Sequence, residues 1–138
     1  MDDISKLMTE QVNDRSVDIE TQSIGQILHY MNDENRTVTD AIERCIPSIE
    51  KVTAAVVQAF EKGGRLIYLG AGTSGRLGVL GASECPPTFG VSPDMVVGVI
   101  AGGDYALRHA IEGAEDDETI AQEQLKKLGL VKEDVVVG

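Results

Sequence analysis

Residues 65–78 have the sequence Arg65-Leu-Ile-Tyr-Leu-Gly-Ala-Gly-Thr-Ser-Gly-Arg-Leu-Gly78. The apolar run at 65–69 has the length of a buried strand, and the glycines after it match the pattern GxGxxG, which joins strands to helices. A short helix is predicted to follow, from about Ser74 to Gly81. A strand that leads directly through a glycine-rich turn into a helix is typical of α/β folds with a parallel sheet.

The glycine-rich loop at 70–75 favours the binding of a phosphate monoester. Glycines let the backbone approach an anion, and a helix N-terminus presents free N–H groups, to which hydroxyl donors are added here. The alternatives are that the hydroxyls only cap the helix, or that the loop binds a dinucleotide. A dinucleotide fold needs an acidic residue at the end of the second strand, about 20 residues after the glycines. Here the predicted second strand covers 95–100, and the first acidic residue that follows it, Asp104, lies beyond its end. The candidate phosphate-binding residues are Gly72, Thr73, Ser74 and Gly75.

The remainder of the chain continues the alternation of strands and helices. Residues 95–100 and 134–137 are predicted strands, and 104–113 and 119–128 are predicted helices. Runs that are apolar on both faces are typical of parallel strands covered by helices on each side, so the predicted fold class is α/β. Because the chain stops inside the third strand, we expect it to belong to a longer protein and to be inactive alone.

Residues 1–60 are predicted to form an extended arm followed by two helices. Residues 1–22 are polar and acidic and suit an extended arm. A short helix at 24–31 should end in a turn at 32–35, whose residues favour caps. Apolar residues at steps of three and four then predict a long helix over 38–60, with a kink or a restart at Pro47. The predicted domains are an arm with a short helix at 1–36 and an α/β domain at 37–138.

Composition excludes several classes of function. The net charge of −11 disfavours nucleic acids and anionic membrane surfaces as partners, because both need basic residues. Two cysteines, Cys45 and Cys85, without ligand spacing indicate neither a disulfide framework nor a metal site. The start of the chain lacks the features of a signal peptide, and no apolar run reaches the ~18 residues that cross a bilayer. We therefore expect a cytoplasmic protein without metal.

Two further segments carry carboxylates. Ser83-Glu-Cys-Pro-Pro-Thr88 places Glu84 just past the predicted end of a helix, where two prolines stiffen the chain. Residues 101–117 start at the carboxyl end of the second strand and include Glu112-Gly-Ala-Glu-Asp116. Open α/β sheets bind ligands at that edge, so both segments are expected to face the same crevice.

With these segments the chain resembles the N-acetylmuramic acid 6-phosphate etherases. The resemblance implies a three-layer parallel-sheet sugar isomerase (SIS) fold, truncated here and preceded by an N-terminal helical arm. It also implies a homodimeric lyase that cleaves a lactyl ether to N-acetylglucosamine 6-phosphate and D-lactate in cell-wall recycling, without metal or nucleotide cofactor. Gly81 departs from the family, in which Asp is common. The matching stretches are 32–38, 63–78, 83–88 and 112–116.

Carried over by position, the resemblance implies that Glu84 and Glu115 are the catalytic glutamates and that Thr73 and Ser74 contact the sugar phosphate. We assign Glu84 as the acid, because a rigid mount in apolar surroundings would favour its protonated form, and Glu115 as the base. The alternative function is a non-enzymatic SIS-domain sensor of sugar phosphates, similar to glucokinase regulatory proteins. An aldose-ketose isomerase would share the phosphate loop but would not explain Glu84.

Overall fold

The computed structural model describes residues 10–111, 113 and 118–138. The chain divides into two compact units, Met1–Ile49 and Glu50–Gly138. Helix α1 (Ile24–Glu61) contributes residues to both units. The domain boundary proposed from sequence, at residue 36, stays a prediction. Within the described ranges no helix has both the length and the apolar character needed to span a membrane.

In the first unit, polar side chains before α1 contact residues on the helix. Two 3-10 turns, Asp14–Ser16 and Ile19–Thr21, lie in the described part of the predicted extended arm. Arg15 donates to Glu34 over 2.7 Å, and the Asn13 amide donates to the same carboxylate over 3.1 Å. The hydrogen bond from Arg15 lowers the pKa of Glu34. Both partners of this ion pair are exposed, so the pair contributes little to stability.

Helix α1 is one continuous helix of 38 residues, so the predicted turn at 32–35 is wrong. The polar side chains expected to end the first helix instead bond along it. Asp33 accepts a hydrogen bond from Arg36 over 2.6 Å, and the Thr37 hydroxyl donates to the Glu34 carbonyl over 2.7 Å. The chain does not restart at Pro47, which lies inside the helix although its ring removes one backbone donor.

The second unit contains a parallel three-stranded sheet in the order β2-β1-β3, which confirms the α/β fold class. In the register of the sheet, Leu66 pairs with Val96 on one side and with Val135 on the other. All three strands lie within one residue of their predicted positions. The strands are β1 (Leu66–Gly70), β2 (Val96–Ile100) and β3 (Val135–Val137). The helices after α1 are α2 (Gly72–Phe89), α3 (Gly103–Ala106) and α4 (Glu118–Lys127).

The core places the two ends of α2 at opposite ends of the strands. Leu66 and Val96, the first residues of β1 and β2, form a buried cluster with Ala82 of α2. Val56 and Phe60 of α1 pack against the same cluster. Helix α2 therefore begins beside the carboxyl end of β1 and runs back to its amino end.

An ion pair joins the starts of β1 and β3. Asp134, whose side chain is 1% exposed, accepts from the Arg65 guanidinium over 2.6 Å and from the Arg65 backbone N–H over 2.9 Å. These hydrogen bonds, with Arg65 the main cause, lower the pKa of Asp134 to about 2. Arg65 also donates to the carbonyls of Leu128 and Gly129, both at 3.2 Å, and so fixes the end of α4.

Helix α3 is much shorter than the predicted helix at 104–113. After Ala106 the backbone N–H of Leu107 bonds to Asp104, and that of Arg108 bonds to Tyr105, each over 3.2 Å. These bonds span three residues rather than four, so the helix tightens into a turn and ends. Helix α4 lies within one residue of its predicted bounds, and residues 112 and 114–117 lie outside the described part of the chain.

Candidate functional site

The glycine-rich loop lies where the sequence placed it, at the carboxyl end of β1. Helix α2 begins at Gly72, two residues before its predicted start, so Thr73 and Ser74 belong to its first turn. The residue that caps this helix is Ala71, which offers no side-chain hydrogen bond, so the two hydroxyls do not act as its cap. Both are exposed, and neither has a hydrogen-bond partner among the described residues. The first N–H groups of a helix also lack intrahelical partners, so hydroxyl and amide donors are available together.

The start of α2 sits directly on the backbone of β1. A Cβ atom added at Gly75 would lie 2.6 Å from the Gly70 carbonyl oxygen and 2.7 Å from the side chain of Ile100. No side chain fits at that spacing, so Gly75 is required for the close approach of helix and strand. Of the four loop residues predicted to bind phosphate, Gly75 is buried and serves packing, and the other three are exposed.

The segment after β2 lies beside this loop. The backbone N–H of Ala101 donates to the carbonyl of Gly70 over 2.9 Å, which joins the exits of the two strands. Arg76, in the first turns of α2, donates through Nε to the Leu107 carbonyl and through Nη2 to the His109 carbonyl, both over 3.1 Å. Two loops at the carboxyl edge of the sheet are thus linked, as expected for a ligand crevice of an α/β fold. Arg76 was not singled out from the sequence, because its partners lie about 30 residues further along the chain.

The structure places Glu84 far from this loop. Helix α2 continues through Pro86 and Pro87 and ends at Gly90, whose left-handed conformation (φ 66°) caps it, so Glu84 lies on the helix and not past its end. At about 1.5 Å of rise per residue, Glu84 is roughly 16 Å along α2 from Thr73. Its neighbour Ala82 packs against the first residues of β1 and β2. The expectation that Glu84 faces the carboxyl edge of its own sheet is therefore wrong.

The face of α2 that carries Glu84 is apolar and open to solvent. Leu77 and Leu80 are 62% and 55% exposed and lie at helical spacing before Glu84, which is itself exposed. Exposed aliphatic side chains grouped on one face are typical of surfaces that contact another chain. Among the described residues nothing covers this surface.

The second predicted catalytic residue, Glu115, lies outside the described residues, as does Glu112 of the same motif. The described chain leads toward them through His109, whose ring stacks on Tyr105 with centroids 4.1 Å apart. In the part of the chain that is described, no group of three or more His, Cys, Asp or Glu side chains is arranged to hold a metal ion.

Comparison with known proteins identifies close relatives. One is an N-acetylmuramic acid 6-phosphate etherase of Jannaschia sp. (strain CCS1), 54% identical over 99% of this chain and 43% of the relative. Another, with the same name, from Glaesserella parasuis serovar 5 (strain SH0165), is 53% identical over 98% of this chain and 44% of the relative. The resemblance seen in the motifs is thereby confirmed, and the chain spans less than half the length of these relatives.

A family model agrees with the fold. Residues 48–138 match the model described as the glucokinase regulatory protein N-terminal SIS domain. The match begins within α1 and includes all three strands, the glycine loop and the segment bound by Arg76. Because it covers well over half of the sequence, the chain belongs to the family of glucokinase regulatory protein N-terminal SIS domains.

Proposed function

We propose that this chain supplies the phosphate-binding part of a lyase that cleaves the lactyl ether of N-acetylmuramic acid 6-phosphate. The products are N-acetylglucosamine 6-phosphate and D-lactate, in cell-wall recycling and amino sugar catabolism. The observation that carries the proposal is the first turn of α2, where two unpaired hydroxyls stand beside free backbone donors. Relatives more than half identical to this chain, which are named for this activity, support the same substrate.

The loop suits a phosphate in spite of the strongly acidic chain. The net charge of −11 repels anions at long range, so binding depends on local donors. A phosphate at the N-terminus of α2 would accept hydrogen bonds from Thr73, Ser74 and the backbone, with the helix dipole adding partial positive charge. The same net charge disfavours nucleic acid and anionic membrane surfaces as partners, and we propose a cytoplasmic enzyme.

The chemistry needs two groups besides the phosphate loop. An ether oxygen is a poor leaving group, but ring opening at C1 gives an aldehyde that acidifies the proton on C2. A base removes that proton while an acid protonates the departing oxygen on C3, which releases lactate and leaves an unsaturated aldehyde. Water then adds to C3 and a proton returns to C2. Glu115 is the proposed base and Glu84 the proposed acid, each contributing about 10²- to 10⁴-fold. No metal or cofactor is required.

The position of Glu84 favours a homodimer in which each subunit supplies its Glu84 to the site of its partner. The phosphate and the ether oxygen belong to the same hexose, so they are separated by no more than the length of one sugar ring. Glu84 is roughly 16 Å along the helix from Thr73, which is too far to reach that oxygen when the phosphate is bound at Thr73 of the same chain. A second copy packed on the apolar face around Leu77 and Leu80 would bury Glu84 in apolar surroundings and could bring it to the partner's loop. The acid and the phosphate loop of one site would then come from different chains.

The function is tested by lactate release from N-acetylmuramic acid 6-phosphate in the intact protein that carries this chain. Replacing Thr73 and Ser74 together by Ala should weaken the binding of N-acetylglucosamine 6-phosphate at least about tenfold, since hydrogen bonds to a charged group are lost. Ser48→Ala, which removes an exposed hydroxyl from α1, should leave the affinity unchanged. Equal affinities of all three proteins in calorimetry would contradict the assignment of the loop.

Mixing two impaired variants tests the shared site, at a substrate concentration low enough that the double Thr73 and Ser74 variant alone has little activity. Glu84→Gln and the double Thr73 and Ser74 variant, unfolded and refolded together, should regain about one quarter of wild-type activity, because about half of randomly assembled dimers carry one intact site. Each variant refolded alone is the control. Activity that stays at the level of the separate variants would show that Glu84 acts in its own chain or not at all.

The second candidate function is a sensor that binds sugar phosphates without converting them. The family model, described after a glucokinase regulatory protein, favours it. The two functions share the phosphate loop and differ in chemistry. Tight binding of N-acetylmuramic acid 6-phosphate without lactate release would support the sensor.

A further inference from the structure

Arg76 occupies a position where a positive charge is electrostatically unfavourable. It is the fifth residue of α2, close to the helix N-terminus, whose partial positive charge disfavours cations. Its side chain is half-buried and turned toward the segment that follows β2. A cation retained at this place must make interactions that offset the unfavourable field.

The contacts of Arg76 use the planar shape of the guanidinium group. Nε donates to the carbonyl of Leu107 and Nη2 to the carbonyl of His109, each over 3.1 Å. Both carbonyls lie just past the end of α3, where backbone acceptors lack helical partners. Two donors held in a rigid plane can satisfy both acceptors at once, whereas the single ammonium of a lysine has no such fork.

The bound segment has two further kinds of contact: Ala106 is buried, with 4% exposure, and other side chains contact one another within the segment. His109 stacks on Tyr105, and its Nδ1 lies 3.2 Å from the Tyr105 carbonyl. At its start, a Cβ atom built on Gly102 would lie 2.5 Å from Ile111 Cδ1, so this side chain folds back over the glycine. These contacts shape the segment 104–111 internally. Arg76 attaches it to the helix that carries the phosphate loop.

We propose that Arg76 is a positioning residue. It holds the segment 104–111 against the start of α2, so that this segment forms one side of the proposed sugar-phosphate site, next to the glycine-rich loop. Because its Nε and Nη2 donate to backbone carbonyls, its proposed role is to fix the geometry of the segment and not to bind the phosphate. This inference rests on the proposed function for its kinetic part. Its structural part, the attachment of the segment by the guanidinium, does not depend on the reaction.

Amide hydrogen exchange tests the structural part in the intact protein. In Arg76→Ala the amides of 107–109 should exchange at least about tenfold faster, because the segment opens locally without its attachment. Arg76→Lys keeps the positive charge but loses the paired Nε and Nη2 donors, so it should show most of the same increase in exchange rate. Arg108→Ala, an exposed arginine of the same segment, is the control and should change little. Unchanged exchange in both Arg76 variants would overturn the proposal.

Kinetics and binding test the positioning role. The affinity for N-acetylglucosamine 6-phosphate should change less than about threefold in Arg76→Lys, while kcat for lactate release falls about 10²-fold, the cost of a misplaced site wall. Full recovery of kcat by lysine would show that charge alone suffices, and a loss of phosphate affinity equal to that of the Thr73 and Ser74 variant would make Arg76 a ligand. Either result overturns the proposal. A wild-type protein without lactate release, combined with faster exchange in Arg76→Ala, would contradict the function alone.

Discussion

Replacing Asp134 by Asn should destabilise the fold by an amount that depends on pH. The Asp134 carboxylate is 1% exposed and accepts hydrogen bonds from the Arg65 side chain, the Arg65 backbone and the Val131 backbone. An amide cannot accept from all of these donors, and its own N–H₂ group would face them. The substitution thus removes the ion pair and leaves the partly buried guanidinium of Arg65 without a carboxylate partner.

The magnitude follows from the pKa of the carboxyl. Hydrogen bonding to Arg65 lowers the pKa of Asp134 from 3.8 to about 2. At about 1.4 kcal/mol for each pH unit, this difference stabilises the native state by about 2 kcal/mol. Because the pKa is lower in the folded state, the stabilisation is complete above about pH 4 and is lost as the pH falls toward about 2.

Urea unfolding of the wild type and of Asp134→Asn, followed by circular dichroism, measures this directly. The variant should be about 2 kcal/mol less stable at pH 7, and the difference should shrink steadily between about pH 4 and pH 2. Lys132→Ala is the control. It removes an ion pair between Lys132 Nζ and Glu133 Oε1, which are 3.5 Å apart, and the lysine side chain is 91% exposed. This variant should lose less than about 0.5 kcal/mol of stability. A difference below about 0.5 kcal/mol at pH 7, or one that is equal at pH 3 and pH 7, would refute the reasoning.

Two further predictions concern the site. Gly75→Ala should destabilise the protein by about 1–3 kcal/mol and weaken sugar-phosphate binding, because its Cβ would meet the Gly70 carbonyl at 2.6 Å and displace the start of α2. Thermal unfolding of both variants measures this, with Gly81→Ala as the control, because a Cβ there meets nothing within 4 Å and the substitution should be neutral or stabilising. Equal stabilities of the two variants would contradict the packing argument. Glu84→Gln should stop lactate release yet still allow exchange of the C2 hydrogen with deuterated water, whereas Glu115→Gln should impair both, as followed by proton NMR. Full lactate release by the first variant, or full exchange by the second, would remove the corresponding role.

The strands and the glycine-rich loop were predictable because their signals are local. An apolar run followed by closely spaced glycines has few alternatives to a buried strand and a tight turn. The end of α2 was misplaced because Gly81 and the pair Pro86-Pro87 are helix breakers in isolation. Packing of Ala82 and Cys85 against the strands offsets their cost, and the actual stop is Gly90.

Long-range features could not be derived in the same way. The segment after β2 was predicted as a helix from its composition, but it ends after one turn, and its last carbonyls bond to Arg76 of another helix. The turn expected at 32–35 fails for a local reason, since Asp33 finds a partner only three residues further along the same helix. In each case the outcome depends on which partner a polar group meets, and local propensity does not contain that information.

The contact between Gly70 and Gly75 bears on how such a site can diversify. A helix that rests on a sheet through side chains shifts by fractions of an ångström whenever mutation changes their volumes. Here the start of α2 meets the strand backbone directly, and main-chain atoms do not change with mutation. Substitutions elsewhere in the core can therefore accumulate without moving the turn at which we propose that phosphate binds. Descendants of an ancestral protein could keep this proposed phosphate site while altering the segment after β2, and so acquire new sugars or lose catalysis without rebuilding the site.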